Sequence, residues 1–405
     1  MYKEKRTVYL IGIGMGRSEC MTSEAAACLA GCDCIIGARR LLEAVAEIPA
    51  VCYAEYLPEK IETYLRKHPE FQKIGIVLSG DTGFYSGAKK LEEVLESSEE
   101  SYEIQRIPGV SSVVYFAATL HMSWEDAALV SLHGREQNWI HAVNHHAKTF
   151  LLLGGRKEPV REKLIRYGLE EVRVHIGKNL SYEEEQIFTK SVAELKEEDT
   201  EGLCIVCLEN PHPIQRVCRH IKDEAFIRGK VPMTKEEVRT ICIGKLELTR
   251  DAVLYDVGAG TGSVAIEAAC QDGSICVYAI EKNPEAVNLI RENAAKFRTD
   301  NVQIIQGMAP EAMQDLVPPT HVFIGGSSGN LKEILLAVKG KNPNVRIVLT
   351  VISLDTLAEV MDAVEEGILR EPDIVQITAA KSRKLGHHHM MTGQNPIFVI
   401  SEGEE

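Results

Sequence analysis

The sequence predicts an α/β protein with two sheet-bearing lobes in its N-terminal half and an independent doubly wound domain in its C-terminal half. Three observations carry this expectation. Short β-branched runs alternate with amphipathic stretches along the chain, the pattern of mostly parallel sheets flanked by helices. A segment at 211–234, with three prolines and clustered charges, interrupts that rhythm. A more regular βα series then resumes. At 405 residues the chain has room for two or three cores.

In the first lobe, VYLIGIG, DCIIG, IGIVLS and YEIQRI read as strands, and 24–30, 88–96 and 110–120 as helices. Past about residue 125 the strands AALVSLHG, TFLLLGG, VRVHIG and LCIVCLEN build the second lobe. Beyond the break come VLYDVG, SICVYAIE, NVQIIQG, THVFIGG, RIVLTVI, IVQITAA and PIFVISEG. Seven strands with intervening helices suffice for a complete doubly wound domain. The expected boundaries are 1–210 for the first domain, 211–228 for a linker and 229–405 for the second domain.

Hydrophobic content of 45% and charged content of 26% are ordinary for a globular chain. A net charge of −14 argues against nucleic-acid binding, which calls for a basic face. No apolar run approaches the roughly 18 residues of a membrane span, and the N-terminus lacks a signal peptide's cleavage region. A cytoplasmic location without membrane partners is therefore expected. The eleven cysteines are scattered through apolar segments. Cys204 and Cys207 form a C-x-x-C inside a strand-like run, and Cys32 and Cys34 sit in another, so reduced structural thiols are expected.

VLYDVGAGTGSVAIEAA is the strongest local feature. A buried strand reaches Asp256, and Gly258, Ala259, Gly260, Thr261 and Gly262 then turn into a helix. Glycine permits unusual dihedrals and close backbone approach by a ligand. The G-x-G-x-G spacing lacks the two-residue gap of the dinucleotide fingerprint, which disfavours an NAD-dependent dehydrogenase. Glu281 ends the next strand, nineteen residues past Gly262, where an acid can accept hydrogen bonds from ribose hydroxyls.

Together these features resemble the Rossmann-like class I S-adenosylmethionine methyltransferases. With FIRGKVPMTKEEVR, AIEKNPEAVNLI, GMAPEA and VFIGGSSGNLKEIL, the region 219–401 is similar to the corrinoid C-15 methyltransferase/decarboxylases of cobalamin biosynthesis. That resemblance implies cofactor contact by Thr234, by the turn with Asp256, by Glu281 at the ribose and by Ala309 at the adenine. Gly325, Gly326 and Ser327 would open toward the substrate.

In the first half, GIGMG places Gly12, Gly14 and Gly16 after a strand. SGDTGFYSGA supplies Gly80, Asp81, Gly83 and Phe84, and IPGVSSV supplies Ser111 and Ser112, able to cap a helix. Small residues at the C-terminal edge of an α/β sheet are where ligands bind. In this order the loops resemble the two-lobed class III tetrapyrrole methylases, most closely the corrinoid C-5 methyltransferases, over 7–210. Thr82 stands where that family has proline in SGDP, and Met15 where G-x-G-P-G has proline; neither change removes a side-chain donor.

The pairing of the two halves resembles the bifunctional corrinoid methyltransferases. It implies S-adenosylmethionine at two sites per chain. It also implies methylation of a precorrin or cobalt-precorrin macrocycle at C-5 and C-15, with decarboxylation of the ring-C acetate, and a homo-oligomer. The alternative is that only the C-terminal domain is catalytic and the N-terminal domain is a corrinoid-binding module. No Ser/His/Asp or Cys/His arrangement suggests a protein nucleophile. Such a macrocycle carries many carboxylates, so His133 and Arg135 in the first domain, and Lys381, Arg383 and Lys384 in the second, are candidate cations for it. His387, His388 and His389 are adjacent, cannot all face one ion from a regular element, and are read as no metal site.

Overall fold

The computed structural model describes residues 5–133, 137–154, 158–215 and 220–402. The chain forms two compact units. The first gathers the two N-terminal sheets; the second holds the C-terminal sheet together with the short segments Gln137–His145 and Glu162–Glu170.

The first sheet contains β1 (Arg6–Gly12), β2 (Cys34–Gly37), β3 (Val51–Ala54), β4 (Lys73–Leu78) and β5 (Tyr102–Ile107), in the order β3-β2-β4-β1-β5. Every pairing is parallel, with Val8 opposite Ile74 and Leu10 opposite Ile76 across β1 and β4. Central strands of such a sheet are covered on both faces, so they read as continuous apolar runs. Val8, Leu10 and Ile11 are accordingly fully buried.

The second sheet contains β6 (Ala128–Ser131), β7 (Lys148–Leu152), β8 (Arg173–Lys178), β9 (Gln186–Ser191) and β10 (Cys204–Glu209), in the order β6-β7-β10-β8-β9. Only β6 and β7 are parallel; the other pairs are antiparallel. Cys204 and Cys207 lie on β10, where residues three apart face opposite sides of the sheet. Burial pushes their thiols up to about 11 and about 12, so both are protonated at neutral pH.

The third sheet contains β11 (Val253–Val257), β12 (Cys276–Glu281), β13 (Val302–Gln306), β14 (His321–Ile324), β15 (Arg346–Val351), β16 (Asp373–Ile377) and β19 (Ile397–Glu402). Its order is β13-β12-β11-β14-β15-β19-β16, with β19 antiparallel to both neighbours. Going out from β11, the chain first builds toward β13 and then returns to add β14 and β15. That reversal opens a crevice at the C-terminal ends of β11 and β14, where doubly wound sheets bind ligands. One apolar cluster, with Tyr255, Ile334 and Ile347, covers one face, and another, with Leu254, Ala265 and Phe323, covers the opposite face.

KSRK lies on strand β17 (Ala380–Leu385). It pairs with β18 (His388–Gly393) in a two-stranded ribbon. A two-residue turn joins them, begun by Gly386 at φ 63°. Among the described residues no helix is long and apolar enough to cross a membrane.

Candidate cofactor and substrate site

β11 delivers the chain to the crevice at Val257, and the next five residues reverse it into the helix Ser263–Ala269. Gly258, Gly260 and Gly262 hold φ of 71°, 57° and 77°, a region costly for any residue with a side chain. Space forbids one as well. A Cβ on Gly258 would lie 2.6 Å from the Gly326 carbonyl oxygen, and one on Gly260 2.7 Å from that of Pro232. The backbone N–H groups of Gly258 and Ala259 donate to the Ile280 carbonyl on β12 at 3.0 and 3.2 Å, which ties the turn to the neighbouring strand.

Glu281 ends β12 beside this turn. One carboxylate oxygen accepts from the Gly260 N–H at 2.9 Å and the other from the Asn283 N–H at 2.9 Å. Each oxygen retains acceptor capacity for a further donor.

The cavity here has a volume of about 710 Å³, within the range of small-molecule sites. Its wall includes Thr234, Gly258, Ala259, Gly260, Glu281, Ala309, Gly325, Gly326 and Ser327, nine positions singled out from the sequence. Asp256, Thr261 and Gly262 lie behind it instead. Asp256 is fully buried and accepts from the Ala265 N–H at 2.9 Å, pinning the helix start to β11. Burial pushes its carboxyl up to about 7, opposed by the Ala265 hydrogen bond and aided less by the negative charge of Glu281. Gly262 packs against Ile290, and Thr261 is fully buried.

The proposed cations of the ribbon are placed differently. Lys381 pairs with Glu237 at 2.8 Å and Glu236 at 3.0 Å, which raises its pKa and commits its charge within the protein. Arg383 and Lys384 are exposed on β17 and are not among the residues that line the cavity.

Sequence reasoning missed the strap 221–235. Val231, Pro232, Met233 and Lys235 join Thr234 in the wall, and the strap is fastened by fully buried Arg239. The guanidinium donates to Glu267 at 2.7 Å, Asp223 at 3.1 Å, the Thr234 carbonyl at 2.7 Å and the Ile221 carbonyl, and lies over the Phe226 ring. Asn293 adds a second anchor, bonding both the N–H and the carbonyl of Ile227 and the Thr261 carbonyl. The motif FIRGKVPMTKEEVR was visible, but only the fold shows that its last residue, Arg239, is an internal rivet. Lys282, Asn283, Met308, Gln394 and Asn395 also line the cavity and carried no separate signal.

In the first unit, three strand-end loops meet. Gly14 and Gly80 pair across a short bridge, and a Cβ on Gly12 would lie 2.6 Å from the Gly80 carbonyl oxygen. Asp81 donates nothing; its carboxylate accepts from the Gly83 N–H at 2.8 Å and the Gly109 N–H at 3.1 Å, joining the loops after β4 and β5. Ser111 caps the helix Ser112–Thr119 by accepting from the Val114 N–H at 3.3 Å. Thr82 and Met15 are buried, and Phe84 packs beside the cluster that holds Met15. His133 is exposed and lies against Gly154. Arg135 lies outside the described residues.

A seven-stranded switch-point sheet with a glycine turn and an acidic strand end defines the second unit as a Rossmann-like methyltransferase domain. The precorrin methyltransferase domain family matches residues 224–402, and the tetrapyrrole (corrin/porphyrin) methylases match residues 7–196. The cobalt-precorrin-6B C(15)-methyltransferase (decarboxylating) of Salmonella typhimurium is 42% identical over 183 residues, 45% of this chain and 94% of that protein. The chain belongs to this precorrin methyltransferase family. Among solved structures, a precorrin-6y C5,15-methyltransferase from Geobacter metallireducens is 36% identical, with a TM-score of 0.43, over 45% of this chain and 97% of that one. A uroporphyrin-III C-methyltransferase from Thermus thermophilus complexed with S-adenyl homocysteine is 19% identical, with a TM-score of 0.42, over 50% and 92%.

Proposed function

We propose that this chain is a bifunctional S-adenosylmethionine-dependent methyltransferase of cobalamin biosynthesis. Its C-terminal domain, 229–405, methylates a precorrin or cobalt-precorrin macrocycle at C-15 and removes the ring-C acetate carboxylate. Its N-terminal domain, 1–210, methylates C-5, and 211–228 links the two, with 221–228 entering the strap of the C-terminal site. The observation that carries the reading is the cavity whose wall joins the glycine turn to Glu281.

The residues of that wall fit the cofactor. Gly258 and Gly260 bring bare backbone to the cavity wall, where a nucleoside could approach it closely. Glu281 would accept from the ribose hydroxyls, and Ala309 would pack on the adenine. When bound, S-adenosylmethionine supplies an electrophilic methyl group on a sulfonium. The chain's own work is alignment and exclusion of water: the strap covers one side of the turn, and the 325–328 loop shapes the other. The nucleophilic carbon belongs to the macrocycle, which also serves as electron sink for decarboxylation, so no protein nucleophile is needed.

In the first unit, the meeting of Gly12, Gly80 and Gly109, braced by Asp81, supports a second cofactor site. His133 and Arg135 are the candidate cations for its substrate. We place the enzyme in the cytoplasm. We also infer a homo-oligomer, supported by the exposed ribbon, where Leu385, Met390 and Met391 are 61%, 56% and 67% exposed. The deciding experiment is mass spectrometry of products from cobalt-loaded and metal-free macrocycle. Gain of two methyl groups and loss of one carbon dioxide is expected. Loss of carbon dioxide with a single methyl gain would leave the N-terminal domain a binding module, and an unchanged mass would end the reading.

A further inference from the structure

Three features of the cavity wall have no part in holding the cofactor as described. Lys282 follows Glu281 directly, but the two side chains diverge. The acid turns to the Gly260 N–H, while the lysine ammonium donates to the Ser328 hydroxyl at 2.9 Å, in the loop after β14. Ser328 is neutral, and Lys282 makes no ion pair among the described residues. Other lysines of this unit, such as Lys381, Lys339 and Lys332, are paired with carboxylates. Met308 and Ile352 line the same cavity yet are 44% and 76% exposed. Scattered surface apolar residues need no explanation, but apolar side chains bared on a concave wall are what a ligand's apolar face covers.

We propose that Lys282 is the specificity-determining cation of the C-terminal site, gripping a peripheral carboxylate of the macrocycle while Met308 and Ile352 pack against its apolar face. The proposal rests on the macrocycle as substrate. An ammonium has three donors, so a carboxylate can join Ser328 without displacing it. A charge-assisted bond to a carboxylate is also stronger than one to a neutral hydroxyl. A corrinoid supplies both complements: a broad apolar ring, and acetate and propionate arms at its edge. The remaining charged groups of the wall are Lys235 and Glu281, and Glu281 is already bonded to two backbone N–H groups. Lys235 belongs to the strap, whereas Lys282 is tethered through Ser328 to the loop after β14, the loop that would open toward the substrate.

The test uses the full chain saturated with S-adenosylhomocysteine, titrated with cobyrinic acid and with its uncharged heptaamide. Lys282→Met is expected to weaken the acid about tenfold, the size of one charge-assisted contact, and to leave the heptaamide unchanged. Lys282→Arg should keep most of the preference for the acid, and Ile352→Ser should weaken both corrinoids alike. S-adenosylhomocysteine affinity and thermal midpoint should stay at wild-type values in all three. Equal weakening of acid and amide by Lys282→Met, an unchanged acid affinity, or a loss of cofactor affinity would overturn the proposal. A wild-type chain that binds cofactor but neither corrinoid would overturn both the proposal and the functional reading beneath it.

Discussion

The Gly260 N–H donates to the Glu281 carboxylate across 2.9 Å, linking the turn that leaves β11 to the last residue of β12. The acid is thus part of the turn's architecture before any ligand arrives. Its second oxygen fixes Asn283, which itself caps the helix Pro284–Lys296. One side chain therefore orients two strand-end loops, and a donor from a ligand would complete an arrangement already in place.

Gly260→Val should abolish binding at this site without unfolding the N-terminal unit. The residue sits at φ 57°, and its Cβ would crowd the Pro232 carbonyl. A branched residue at positive φ costs on the order of 1–3 kcal/mol before the clash is counted. Product analysis should find C-15 methylation lost and C-5 methylation retained on a supplied intermediate. Equal loss of both would argue against separate sites.

Arg239 is expected to control the cofactor site without touching it. Removing one partner of a buried ion pair typically costs about 3–5 kcal/mol, because the carboxylates left behind stay desolvated. Arg239→Met should therefore lower the melting temperature and release the strap, weakening S-adenosylmethionine binding. Pro232→Gly, which loosens the strap but spares the rivet, should weaken binding with a much smaller change in melting temperature. Calorimetry beside a thermal melt separates the two, and full affinity in both variants would remove the strap from the site.

The sheet of the second unit was legible because most of its seven strands are apolar runs ended by a turn signal, although β16, DIVQI, is largely exposed and has none. The glycine turn and Glu281 were legible because their chemistry is local. The strap was not. Arg239 reads as an ordinary exposed helix residue in TKEEVR, and its partners Asp223 and Glu267 are 16 positions before it and 28 after. Lys381 failed in the opposite sense: a basic run promised free cations, yet Glu236 and Glu237, far off in sequence, take up its charge. Asp256 fell between these cases. Its place at the strand end was correct for the motif, but its side chain points beneath the turn and caps the following helix.

That buried position makes Asp256 a source of pH dependence. Its folded pKa is raised from 3.8 to about 7, chiefly by burial. The folded state then binds more protons than the unfolded state between these values, so this group's contribution to stability falls as pH rises through that window and levels off above it. Asp256→Asn removes the titration. The melting temperature of the variant relative to wild type should therefore climb from about pH 4 to about pH 7 and stay flat beyond. A constant difference across the range would mean that Asp256 is not buried with a raised pKa.

The last prediction separates the two cofactor sites. Glu281 lines a cavity and has acceptor capacity left, so Glu281→Ala should remove a ligand contact as well as a turn brace. Loss of one charge-assisted bond costs on the order of 1.5–3 kcal/mol, roughly ten- to a hundredfold in affinity. Asp81 differs in kind. It is not among the residues that line that cavity, and its carboxylate joins two loops by accepting from the Gly83 and Gly109 N–H groups, so Asp81→Ala should act by letting those loops part. Its effect on affinity should come with increased amide exchange at Gly83 and Gly109, a signature that Glu281→Ala should lack. Calorimetry on the full chain is expected to resolve two S-adenosylmethionine binding events, one weakened by Glu281→Ala and the other by Asp81→Ala. A shift of both events by either substitution would mean coupled sites. A single event per chain, lost with Glu281→Ala and indifferent to Asp81→Ala, would leave the N-terminal unit without a cofactor and confine methylation to C-15.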